Sequence, residues 1–223
     1  IHREQPFDLV ADRVAALRTA GIDALNFDLM YGLPYQSTGD AVRSVEMALS
    51  LEPSRVAVFG YAHVPWMRKH QNLIPAEALP GAEARRDQAV AMTETLLSAG
   101  YVQIGLDHFA RPGDSMAEVT EAGTLKRNFQ GYTVDGCGTL LGLGASSISR
   151  FDNGFSQNTP QTGPYSKIVR GGELSTARGY ELTGEDKLRS RIIEMLMCDF
   201  AIDFKELNLN EVDRARFAPA LDA

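Results

Sequence analysis

Cysteine is scarce in this sequence: the 223 residues contain two, Cys137 and Cys198, far apart and in no pairing motif. That scarcity argues against a disulfide-rich secreted module. Neither a zinc ribbon nor an iron–sulfur cluster can be built from this chain's own thiols. The four histidines, His2, His63, His70 and His108, form no H-E-x-x-H motif, and Pro65 between His63 and His70 excludes a ligand pair on one helix. No apolar run approaches the roughly 20 residues of a membrane-spanning helix, and no signal peptide is visible. No block of lysine and arginine occurs, and 22 basic residues against 29 acidic ones leave a net charge of −7. General nucleic-acid binding and membrane association are therefore not expected, and a cytoplasmic location is. Internal repeats and low-complexity segments are absent too. What is present, 44% hydrophobic and 23% charged residues, suits a globular chain large enough to bury its own core. The chain starts on Ile1 rather than Met, runs directly into a helix signal and stops without a capping signal, so a piece of a longer protein is expected.

The first sixty residues alternate helix and strand. Pro6 suits a first helical turn, Val10, Val14 and Leu17 share one helical face, and Gly21 is a stop. A strand is expected over 22–31, with Leu25, Phe27, Leu29 and Tyr31 on one face and Asn26, Asp28 and Met30 on the other. Ser37 with Asp40 reads as a capping box opening a helix striped by Ala41, Val45, Ala48 and Leu49. The next strand is expected over 55–62. This order implies parallel strands with right-handed crossovers, hence a slice of a β/α barrel or a doubly wound sheet. Pro65, Pro75 and Pro80 make 64–82 a loop with short helical turns. A helix is expected over 84–99, with Val90, Thr93 and Leu97 on one side. Strands are expected within 101–106 and 139–150, with irregular chain over 107–138. Thr183 and Asp186 form a second capping box, opening a helix with Leu188, Ile192, Met195 and Leu196 inward.

Asp28 is the first residue that suggests chemistry. A carboxylate within an apolar strand costs several kcal/mol unless it is paired or ligand-bound. In a β/α barrel, ligands gather at the C-terminal strand ends. The alternative is a structural Asp held by Asn26 and backbone donors. Gly142-Leu143-Gly144-Ala145-Ser146-Ser147 departs from the dinucleotide fingerprint and lacks its setting. Asp107 and His108 are adjacent and would point apart in an extended segment, which disfavours a dyad. Lys126-Arg127-Asn128 could hold carboxylates or phosphates by charge-assisted hydrogen bonds, or be a solvated charge run.

Whole strings carry more. Asn26-Phe27-Asp28-Leu29-Met30-Tyr31-Gly32-Leu33-Pro34-Tyr35-Gln36 resembles the strand and loop shared by oxygen-independent coproporphyrinogen III oxidases (dehydrogenases) and their haem-chaperone relatives, both radical S-adenosylmethionine (SAM) proteins. Four further strings look like the oxidase branch itself: Tyr61 to Met67 (YAHVPWM), Gly105 to Ala110 (GLDHFA), Arg127 to Thr133 (RNFQGYT) and Gly142 to Ser149 (GLGASSIS). They stand in the family's order, and the resemblance runs from about Ile1 to Phe204.

The resemblance implies an α/β fold: the second part of an incomplete (β/α)6 radical SAM (TIM-like) barrel, followed by a mostly helical C-terminal domain. Residues 1–66 would be the last β/α units of the barrel, 67–182 a mixed α/β extension on the substrate side, and 183–223 the start of the helical domain. It implies that a [4Fe–4S] cluster and SAM generate a radical that abstracts hydrogen from two propionates of coproporphyrinogen III. Each propionate then loses CO₂ and becomes a vinyl group, giving protoporphyrinogen IX. Asp28 and Arg3 match positions contacting a first SAM, and Ala62 and Ile148 match positions lining a second. Arg68, Lys69, Arg111 and Arg127 are propionate candidates by charge alone, and no catalytic residue is assigned. The family's Cys-x-x-x-Cys-x-x-Cys is absent, so the cluster ligands are expected outside this chain and the isolated polypeptide is expected to be inactive. The implied parent is a monomer using an external electron donor. The alternatives are a haem chaperone without decarboxylase activity and a structural piece that binds nothing.

Overall fold

The computed structural model describes residues 5–207, 209, 214 and 215, and the chain divides into compact units at 1–125 and 126–223. In the first unit, Pro6 precedes helix α1 (Phe7–Thr19), which buries Val14. Strand β1 (Asn26–Tyr31) starts four residues later than the sequence suggested, and its exposure alternates as expected: Asn26, Asp28 and Met30 are open, while Phe27, Leu29 and Tyr31 turn inward. Ser37 and Asp40 close a full capping box on α2 (Thr38–Leu49), which buries Ala41, Val45 and Ala48. Strand β2 (Arg55–Gly60) pairs with β1 in parallel, Asp28 beside Ala57.

The parallel pattern ends there. Strands β3 (Val102–Ile104) and β4 (His108–Ala110) form an antiparallel hairpin, and β4 pairs antiparallel with β2, giving the order β1-β2-β4-β3. Gly105, at φ +56°, lets the chain reverse where one longer strand was expected. Helix α3 (Ala82–Ser98) buries Gln88, Met92 and Leu96, while Val90 and Leu97 are 49% and 44% exposed. The side that carries Val90 and Leu97 is thus the more open one. The helix is turned so that the polar Gln88 enters the core, where it has hydrogen-bond partners. The core joins Ala41 and Val45, Val56 and Val58, Met92 and Leu96, Tyr101 and Phe109. Helix α4 (Ser115–Glu121) is capped by Asp114, whose carboxylate also receives Arg55 Nε at 2.9 and 3.0 Å.

The second unit opens with the hairpin β5 (Lys126–Asn128) and β6 (Gly131–Thr133). A three-stranded antiparallel sheet follows: β7 (Ile148–Phe151), β8 (Gly154–Asn158) and, after helix α5 (Thr162–Arg170), β9 (Thr176–Glu181). Most of 139–150 is not a strand. A Cβ on Gly142 would sit 2.7 Å from the Ile148 carbonyl oxygen, and Asn158 Nδ2 donates to the Gly142 and Gly144 carbonyls. Those contacts fold the glycine-rich stretch back on β7. Conversely, 107–138 holds β4, α4, β5 and β6 rather than irregular chain alone. Helix α6 (Gly184–Asp199) starts on the Thr183–Asp186 capping box; it buries Met195 and Cys198, whereas Leu196 is 44% exposed. Among the described residues, no helix is long and apolar enough to cross a membrane.

Candidate functional site

Pairing across the first unit's sheet sets Asp28, Ala57 and His108 in one row, on the face opposite Val56, Val58 and Phe109. The Asp28 side chain is exposed and lies mid-strand rather than at the strand's end, so it escapes the desolvation cost expected of a carboxylate in an apolar strand. Asn26 Nδ2 donates to Asp28 Oδ1 at 2.7 Å; Oδ2 has no partner among the described residues. Asp28 is thus oriented yet keeps an oxygen for a ligand's N–H or O–H.

Two buried glutamines, neither of them visible as functional in the sequence, shape the loops at the strand ends. Gln88, 1% exposed, accepts from the Gly32 N–H at 2.9 Å and donates to the Gln36 carbonyl at 2.6 Å. It fixes the Gly32-Leu33-Pro34 turn after β1, where Gly32 takes φ +78° and a Cβ would meet Arg85 Nη1 at 2.7 Å. Gln71 does the same after β2, accepting from the Val64 N–H at 2.6 Å and donating to the Ala62 carbonyl at 3.0 Å. Ala62 itself is exposed, and Tyr61 ties the two strand ends together by donating its N–H to the Tyr31 carbonyl at 2.8 Å. The sequence offered no signal for either glutamine: Gln88 follows Arg85-Arg86-Asp87 and Gln71 lies between His70 and Asn72, so both read as solvent-facing unless their loop partners are known.

Asp107 and His108 do not point apart. Their side chains meet at 2.7 Å, Oδ1 to Nδ1, because Asp107 sits in the β3–β4 turn instead of an extended segment. The His108 ring also packs edge-on against Phe59, centroids 5.7 Å apart.

Ile148 lies in the second unit, half-buried at the start of β7, beside Phe129 and Phe155 in a cleft of about 450 Å³. Asp28 and Ala62 therefore share the first unit and Ile148 is in the second; Arg3 lies outside the described residues. Of the candidate cations, Arg68 and Lys69 are exposed in the loop after β2, and Arg111 faces Glu52 at 3.4 Å. Arg127 differs, with a buried Nε that has no hydrogen-bond partner among the described residues.

An iron–sulfur cluster does not fit the residues described here. No three His, Cys, Asp or Glu side chains converge among them; Cys137 is exposed, and burial pushes the Cys198 thiol up to about 11, far from the thiolate a metal needs. The open face of β1 offers a hydrogen-bond acceptor of the kind the ribose or amine of S-adenosylmethionine needs, in the Asp28 oxygen that has no partner among the described residues.

The mixed α/β chain has the fold of a radical SAM enzyme segment. It superimposes on coproporphyrinogen III oxidase from Escherichia coli, described as a radical SAM enzyme, with a TM-score of 0.88 and 34% identity, covering 100% of this chain and 52% of that one. Its sequence is similar to oxygen-independent coproporphyrinogen III oxidases, the group the strings resemble. The one from Paracoccus denitrificans is 51% identical over 206 residues, 92% of this chain and 46% of the relative. The one from Cereibacter sphaeroides is 48% identical over 222 residues, 100% of this chain and 48% of the relative. The chain spans about half the length of the curated relatives it matches. No protein-family model matches it.

Proposed function

We propose that this chain is a segment of an oxygen-independent coproporphyrinogen III oxidase, which oxidatively decarboxylates two propionates of coproporphyrinogen III in porphyrin and haem biosynthesis. The observation that carries this reading is the 51% identity over 206 residues to a relative of that name. Residues 1–66 are then the last β/α units of an incomplete (β/α)6 barrel, 67–182 an extension on the substrate side, and 183–223 the start of a helical domain. The parent is a cytoplasmic monomer that takes electrons from an external donor.

A [4Fe–4S] cluster, with ligands outside this chain, and SAM supply the hydrogen-abstracting radical. The chain's own residues bind and orient. Asp28, steadied by Asn26, accepts hydrogen bonds from the first SAM, which Arg3 also contacts. Ala62, its carbonyl held by Gln71, contacts a second SAM, and the resemblance gives Ile148 a contact of the same kind through its apolar side chain. By itself the chain is inactive, since Cys137 and Cys198 cannot replace three cluster cysteines. The coding sequence upstream tests this directly: a Cys-x-x-x-Cys-x-x-Cys motif is expected there, and its absence refutes the radical reading.

A further inference from the structure

A second cleft of the 126–223 unit, also about 450 Å³, opens between β5, the β7–β8 hairpin and α6. Part of its wall is aromatic: Phe129 and Phe155 meet edge to face with centroids 6.4 Å apart. Phe129 remains 42% exposed, so the ring wall is open to a ligand.

Around this wall stand Arg127, Arg150, Lys187 and Arg191, opposed only by Asp152 and Glu194. Arg191 is engaged, with Nη1 on Glu194 at 2.9 Å and Nη2 on Glu206 at 3.1 Å. Arg150 and Lys187 have no acidic side chain within 4.0 Å among the described residues. Arg127 is the informative one. Its guanidinium lies over the Tyr132 ring, 5.7 Å from the centroid, and its Nε is buried with no acceptor among the described residues.

A buried charged donor left unpaired costs more than the roughly 1–3 kcal/mol of a neutral one, so native structures rarely keep one without use for it. A guanidinium edge held by stacking presents parallel N–H donors that match a planar carboxylate. The neighbouring rings match an apolar body attached to that carboxylate. We infer that this cleft binds a carboxylate of an apolar ligand, with Arg127 donating to it and Arg150 and Lys187 adding charge at the mouth. The ligand's name rests on the proposed function. That reading brings two carboxylates, the propionates of coproporphyrinogen III and the amino-acid carboxylate of SAM.

The test measures binding to the full-length protein of three probes: coproporphyrin III, the fluorescent air-stable form of the macrocycle, its tetramethyl ester, and SAM. Arg127→Gln is expected to weaken coproporphyrin III about tenfold, the loss of one charge-assisted hydrogen bond. Arg127→Lys should recover part of that loss, and ester binding should not respond. Arg150→Gln with Lys187→Gln, both at exposed positions, gives a smaller loss and does not depend on the fold tolerating a change at Arg127. Arg86→Gln, a 76% exposed site in the first unit, is the control. A loss confined to SAM supports the same carboxylate site with the second source. Unchanged affinity of every variant for both acids overturns the inference while leaving the proposed function standing. Wild-type protein that binds neither acid removes both.

Discussion

Asp28 is held from one side only, by a 2.7 Å hydrogen bond from Asn26, and its open oxygen is what the proposed cofactor contact uses. In the full-length protein, Asp28→Ala is expected to weaken SAM binding about tenfold, the worth of one charge-assisted hydrogen bond, with little change in stability because the side chain is exposed. Equilibrium dialysis measures the first and urea denaturation the second; unchanged affinity would return Asp28 to a purely structural role. The alternation that singled out Asp28 was legible because a strand's period of two needs nothing beyond the strand itself. Gln88 and Gln71 were not legible, since what gives them a role is a backbone group in a loop dozens of residues away or across a turn. The Asp107–His108 contact was misread for a related reason: the pair's geometry depends on a turn that adjacency alone does not disclose.

Helices α2 and α6 start on the same device, a hydroxyl and a carboxylate exchanging hydrogen bonds across three residues. Those bonds hold Asp40 and Asp186 below the usual carboxylate range, led by the side-chain bonds from Ser37 and Thr183. With the folded value under the unfolded one, their contribution is present above about pH 4 and disappears as the pH falls through the lowered value. Far-ultraviolet circular dichroism from pH 7 to pH 3 should therefore show helix loss setting in below about pH 4. Asp40→Asn and Asp186→Asn should flatten that dependence, and an identical acid profile in the double variant would contradict the assignment. Both boxes were readable because capping chemistry is local. Strands β3 to β6, of three residues each, were not, because so short a strand exists only through its partner. The inward face of α3 was not legible, because the polar Gln88 on it is satisfied inside by loop partners.

At the scale of the molecule, β1 pairs with β2 alone among the described residues, leaving its other edge with unpaired backbone groups. Under the proposed function, a preceding barrel strand in the longer protein covers that edge. Composition and periodicity reached a mixed α/β chain, and the strings reached its relatives; the division into units at residue 125 had no signal in either. Two cysteines are too few to hold a cluster, and under the proposed function that describes this segment rather than its parent. Anaerobic incubation of the full-length protein with coproporphyrinogen III, SAM and an external reductant tests the central claim most directly. The account predicts protoporphyrinogen IX with release of CO₂; haem binding without any turnover would contradict it.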